Sequence, residues 1–171
     1  MKVRNSSSYY KVELLPHDSQ WIALYQSEAS KLTAIFGDEL VAIDHIGSTS
    51  VPTIKAKPII DILIQTRTET LDDQIIQQLD QAGYVERNFN DGKARRTFNK
   101  DHNGLRLFNV HVVKQGDAFG QKMHRFSELL REDPILAKQY ETLKIETALV
   151  HKDSDSYYKA KSSFIENLVK E

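Results

Sequence analysis

Apolar positions recur along this chain with two different periods, and the switch between them divides it into helices and strands. Between Ser19 and Phe36 the residues Trp21, Leu24, Tyr25, Leu32, Ile35 and Phe36 fall at helical spacing, with Asp18 or Ser19 as cap and Gly37 as stop. Leu40 to Ile46 reads as a short strand entering Gly47-Ser48-Thr49-Ser50, and Pro58 to Gln65 as a strand covered on both faces, interrupted by one charge, Asp61. Thr70 to Ala82 is the next helix: Thr70 and Asp73 have capping-box spacing, and Leu71, Ile75, Ile76 and Leu79 form its apolar stripe. Tyr84 to Arg87, Ala94 to Asn99 and Leu105 to Val113 read as strands, with turns at Asn90-Asp91-Gly92 and Asn103-Gly104. Everything after Asp117 is helical: Phe119 to Leu130, Pro134 to about His151, and Ser156 to Val169. This order predicts an α+β (mixed α/β) fold with one sheet and a helical C-terminal third, not a doubly wound one.

Composition narrows the chemistry. The chain has 171 residues, enough for one domain and one core, with residues 1–10 reading as a flexible lead-in. Lys+Arg 23 against Asp+Glu 24 gives a net charge of -1, so no global charge draws it to nucleic acid. The absence of cysteine excludes disulfides and thiolate-ligated zinc. No apolar run approaches the ~20 residues that cross a bilayer, and the polar start has no signal-peptide core. A cytoplasmic protein without a membrane partner is expected.

The informative segment is His45-Ile46-Gly47-Ser48-Thr49-Ser50-Val51-Pro52, followed by Lys57-Pro58-Ile59-Ile60-Asp61. A strand that ends in Gly-Ser gathers backbone N–H groups and hydroxyls at one point, where they can cradle a phosphate. Asp61 inside an apolar strand needs a partner, a hydrogen bond or a metal, because an isolated buried carboxylate is costly. A capping turn and a structural ion pair with Lys57 or an arginine account for the same residues. A P-loop is excluded, because the Gly-Lys-Ser/Thr ending is missing.

These two stretches resemble the signature of the GrpB family. The resemblance runs over about residues 11 to 169, taking in Val110-His111-Val112-Val113, Leu130-Arg131-Glu132-Asp133-Pro134 and Tyr158-Lys159-Ala160-Lys161. It implies a nucleotidyltransferase-like fold, and similar domains are appended to some dephospho-CoA kinases. That fold places Gly-Ser before a strand bearing two carboxylates at i and i+2, which share a face and grip metal ions. Here Asp61 stands first but Leu63 second, and the place of the third carboxylate falls to His111. A His-x-His pattern common in the family is Asn109-x-His111, and a helical arginine common in the family is matched by Ser127.

The resemblance thus implies a nucleotide or phosphate ligand. Gly47, Ser48, Thr49, Ser50, Lys57, Arg96 (or Arg95), Lys144 and Lys161 are its candidate phosphate ligands, and Asp61, His111 and His45 the candidate catalytic groups. Asp61 and His111 are the candidate metal ligands, for Mg²⁺ completed by ligand phosphates. A set of Asp61, His45 and His111 would select Mn²⁺ or Zn²⁺ instead. Two functions follow: a nucleotidyltransferase-type enzyme, or a non-catalytic nucleotide- or phosphate-binding module with a degenerate metal site. A histidine-triad hydrolase would require a third histidine where Val113 stands.

Overall fold

The computed structural model describes residues 13–87, 95–150 and 154–169; residues 1–10 and the Asn90-Asp91-Gly92 turn lie outside them. Helix α1 (Gln20–Phe36) is followed by a 3-10 turn (Gly37–Glu39), β1 (Leu40–Ile46), a second 3-10 turn (Ser48–Ser50) and β2 (Ile60–Thr66). Helix α2 (Asp73–Gln81) leads into β3 (Tyr84–Arg87), β4 (Arg96–His102) and β5 (Leu105–Lys114). Helices α3 (Ala118–Glu132), α4 (Pro134–Val150) and α5 (Ser154–Val169) complete the chain.

Caps set the helix boundaries. Asp18 accepts from the Gln20 amide, Asp117 from those of Phe119 and Gly120, and Asp133 from those of Ile135 and Leu136. The Thr70–Asp73 capping box does not form. Asp72 takes the amide of Gln74 instead, and α2 starts at Asp73. Strand β4 runs on to His102, because Asn103 (φ 52) and Gly104 (φ 79) both take the positive φ of a tight hairpin.

The strands form one mixed sheet in the order β1-β2-β5-β4-β3, with only β2 and β5 parallel. Its first face carries Ile60, Ile62, Ile64, Phe98, Val110 and Val112. All are buried under Leu32 and Phe36 of α1 and Leu79 of α2 in the main core. Buried Glu28 of α1 reaches across the same layer to Tyr84 and Lys100, and so ties the helix to the β3–β4 edge.

Among the described residues the second face is only partly covered. Leu63, Ile46 and Val113 are buried beneath Phe119 and Met123 of α3. Close approach there depends on Gly120, where a Cβ would sit 2.9 Å from Val113 Cγ2. Helices α4 and α5 pack on α3 and on Val51 and Ile54, around Phe126, Leu130 and Tyr140, rather than on the strands. Of the C-terminal third, then, one helix lies on the sheet and two form a layer behind it. Among the described residues no helix is long and apolar enough to cross a membrane.

Candidate functional site

Strand pairing decides which side chains meet. Asp61 is in register with Asn109 across the parallel β2–β5 pair, and Thr97 with His111 across β4–β5. Because strand side chains alternate, Asp61, Asn109, His111, Thr97 and Asn99 all stand on the second face. Asn109 Nδ2 donates to Asp61 Oδ1 at 2.9 Å, and His111 Nε2 lies 3.9 Å from that oxygen. Thr97 Oγ1 is 3.4 Å from His111 Nδ1, and Phe119 tilts against the imidazole ring.

The polar row continues outward. With its amide turned to satisfy both ends, Asn99 donates to Asn109 Oδ1 at 2.9 Å. Its own oxygen then accepts from Arg106 and Arg87. Two arginines thus orient Asn99, Asn99 orients Asn109, and Asn109 holds Asp61.

At the near edge, Gly47 (φ 73) turns the chain out of β1 directly against this carboxylate. A Cβ on Gly47 would lie 2.7 Å from Asp61 Oδ2, so any other residue would strain the backbone and push the carboxylate aside. The turn spends most of its polar groups on itself. Gly47 N–H donates to Ser127 Oγ, Ser50 Oγ donates to the Gly47 carbonyl, and Thr49 Oγ1 donates to the Ile59 carbonyl. Ser127 therefore holds the turn to α3. Of the three turn hydroxyls, that of Ser48 alone stays outside the hydrogen bonds among the described residues.

Cations gather beside the turn. Lys57 and Lys161 lie within electrostatic reach of each other and of Asp61. Burial, then Lys161, lowers the Lys57 ammonium from its ordinary value, while Asp61 opposes the shift. Burial alone would raise the Asp61 carboxyl, but His111, Asn109 and Lys161 together hold it below the usual carboxylate range. Arg131 of α3, singled out by no chemical signal in the sequence, places Nη1 3.3 Å from both the His45 carbonyl and Ser50 Oγ.

Three of the expected residues are placed elsewhere. His45 pairs in register with Ile62, so its ring faces the α1 side, stacked on Tyr25. Thr49 gives its only proton to Ile59, so His45 Nε2 must donate to Thr49 Oγ1, which assigns the tautomer. Burial first, with Arg131 and His17 adding to it, pushes this imidazole down to about 4, so it is neutral at pH 7.

Arg96 also lies on the α1 face, bidentate to Glu86 and over the Phe98 ring. The neighbouring Arg95 takes the second face, over Phe119. Lys144 is buried and donates to the Lys55 carbonyl, while Glu141 accepts from the Lys55 amide at 2.6 Å. It clamps the segment leading into Lys57 rather than facing the cleft. An open groove of about 600 Å³ lined by Pro134, Ile135, Leu143 and Phe164 shares no residue with this site.

The donor set is smaller than the one that the resemblance implies. The second carboxylate position is Leu63, fully buried in the apolar layer under α3. Asp61 and His111 face each other, but His45 is on the opposite side of the sheet, so the three-ligand set for Mn²⁺ or Zn²⁺ does not assemble. Among the described residues no three histidine or carboxylate side chains gather as a metal shell.

The comparisons with known proteins agree with this architecture. The YqkA protein of Bacillus subtilis is 38% identical over 148 residues, which cover 86% of this chain and 43% of that protein. The chain thus spans less than half the length of that relative. A dephospho-CoA kinase of Mycolicibacterium paratuberculosis is 34% identical over 76 residues, 43% of this chain and 19% of the kinase. The crystal structure of GrpB from Enterococcus faecalis superposes with a TM-score of 0.77 at 27% identity, covering 91% of this chain and 99% of that one. Terminal uridylyl transferase 4 from Trypanosoma brucei, solved with bound dUTP, superposes at 0.56 and 14% identity. The match covers 90% of this chain and 55% of the transferase, so the likeness is one of fold. Residues 11–171 match the family described as GrpB protein, and the chain belongs to that family.

Proposed function

We propose that this protein binds a phosphate-bearing small molecule, a nucleotide, on the open half of its second sheet face. The observation that carries the reading is the convergence of Gly47, Lys57 and Lys161 on Asp61, with Ser48 in the same turn and Arg131 bound to it at Ser50. A turn with a free hydroxyl, bordered by cations, is the arrangement that an anionic oxygen recognises. The polar row from Asp61 to Asn99 fixes the carboxylate, and the His111 imidazole stands beside it toward the rest of the ligand. The nucleotidyltransferase-like fold and the dUTP held by the uridylyl transferase neighbour support a nucleotide over a simple phosphate.

A thermal-shift screen of nucleoside mono-, di- and triphosphates tests this, because a ligand that binds only the folded state raises the melting temperature. Lys161→Ala and Ser48→Ala should each weaken a hit by roughly 3- to 30-fold, one charged or neutral hydrogen bond. No shift with any nucleotide would end the proposal. Transfer of a phosphate-linked group is a second reading, favoured by His111, whose Nε2 is held toward Asp61 with Thr97 behind it. Loss of product formation in His111→Gln with ligand affinity intact would support it. Leu63 favours the module that binds without turnover.

A further inference from the structure

The fate of the two Asp61 oxygens bears on how an anion would be held here. Oδ1 accepts the Asn109 amide at 2.9 Å and has His111 Nε2 at 3.9 Å. Oδ2 lies so close to Gly47 that a single added carbon would reach it at 2.7 Å. Asn109 is not free to swing away, since Asn99 holds its oxygen and Arg106 and Arg87 hold Asn99. A cation approaching Asp61 would thus have to share Oδ1 with the Asn109 amide, which three further side chains hold in place. It would find Leu63, buried and apolar, where a second carboxylate should stand. Meanwhile positive charge is already present within reach of Asp61 in Lys57 and Lys161, and Arg131 adds to it on the turn at Ser50.

We infer that the cleft takes its phosphorylated ligand as the metal-free anion, with protein N–H groups and ammonium ions in the places that metal ions would fill. This inference rests on the nucleotide-binding reading above. Its consequences have opposite signs to those of a metal-bridged site. Where a metal joins carboxylate to phosphate, neutralising the carboxylate removes the bridge. Where no metal intervenes, Asp61 only repels the phosphates, and neutralising it helps.

Asp61→Asn is the suitable variant, because the new amide oxygen can still accept from Asn109 and the side-chain volume is unchanged. Calorimetric titration of ATP, UTP and inorganic tripolyphosphate would be run into the full chain and the variant, once in EDTA and once in Mg²⁺. The expected result is affinity in EDTA equal to or better than in Mg²⁺, and a gain of roughly 2- to 10-fold in Asp61→Asn, the scale of one partly solvated charge interaction. A companion variant, Asn109→Asp, would set a second carboxylate against Asp61 Oδ1. It should create saturable Mn²⁺ binding that the native chain lacks, since two facing carboxylates relieve their repulsion by taking a cation.

Binding that appears only with Mg²⁺, or is lost in Asp61→Asn while the melting temperature holds, would overturn the inference and leave the nucleotide reading standing. Absence of binding by all three probes in both buffers would overturn both. Saturable Mn²⁺ binding by the native chain in the absence of nucleotide would likewise sink the metal-free site.

Discussion

At the residue scale, Gly47 and His45 illustrate how position within one short stretch divides labour. Gly47 combines a left-handed backbone with a contact to Asp61 that leaves no room for a Cβ. Gly47→Ala should destabilise by about 1–3 kcal/mol, from positive φ plus steric displacement. It should also weaken ligand binding by distorting the turn that carries Ser48, as denaturant titration and calorimetry on the same variant would reveal. His45 is a structural histidine with a pH signature. Its folded-state value of about 4 lies below the ordinary 6.5, so between those values the unfolded chain binds the proton that the native state refuses. Its contribution to stability is complete above pH 6.5 and is lost as pH falls toward 4. Melting curves across that window should fall less steeply for His45→Gln than for the native chain; parallel curves would show that the ring is not held neutral.

At the element scale, the site depends on how α3 and α4 grip two loops. Ser127 of α3 accepts the Gly47 amide from a fully buried position. Ser127→Ala would leave that amide without its acceptor, for an expected loss of about 1–3 kcal/mol. The urea midpoint should drop with m unchanged; an unaltered midpoint would mean that water replaces the hydroxyl. Helix α4 grips both backbone groups of Lys55 through Lys144 and Glu141. The residue read as a phosphate ligand is thus an anchor for the strand of chain that presents Lys57.

At the scale of the whole molecule, the buried Lys144 couples folding to alkaline pH. Burial, reinforced by Lys161, pushes its ammonium down to about 7, against an ordinary 10.5. Between those values the unfolded chain again holds more protons, so stability should rise with pH from about 7 to about 10.5. Lys144→Met should remove that rise, as chemical denaturation at pH 7, 8.5 and 10 can measure. The same slope in the variant would assign the effect to another group.

Periodicity and caps make the elements legible in the sequence, because helix and strand spacing are local properties of the chain. The sheet face shared by Asp61 and His111 also followed, since their strands are neighbours in the fold that the Gly-Ser segment resembles. Arg96 was misplaced against Arg95 because adjacent strand residues point oppositely, and only the pairing of Thr97 with His111 says which faces the cleft. His45 fell on the far side for the same reason of alternation, two residues before Gly47. Lys144 reads as a free cation because nothing in a sequence announces that a backbone carbonyl 89 residues away will accept its hydrogen bond. Local patterning, then, determined which elements form and where the turn lies. Register and helix docking, which depend on contacts between distant segments, decided which side chains meet at Asp61.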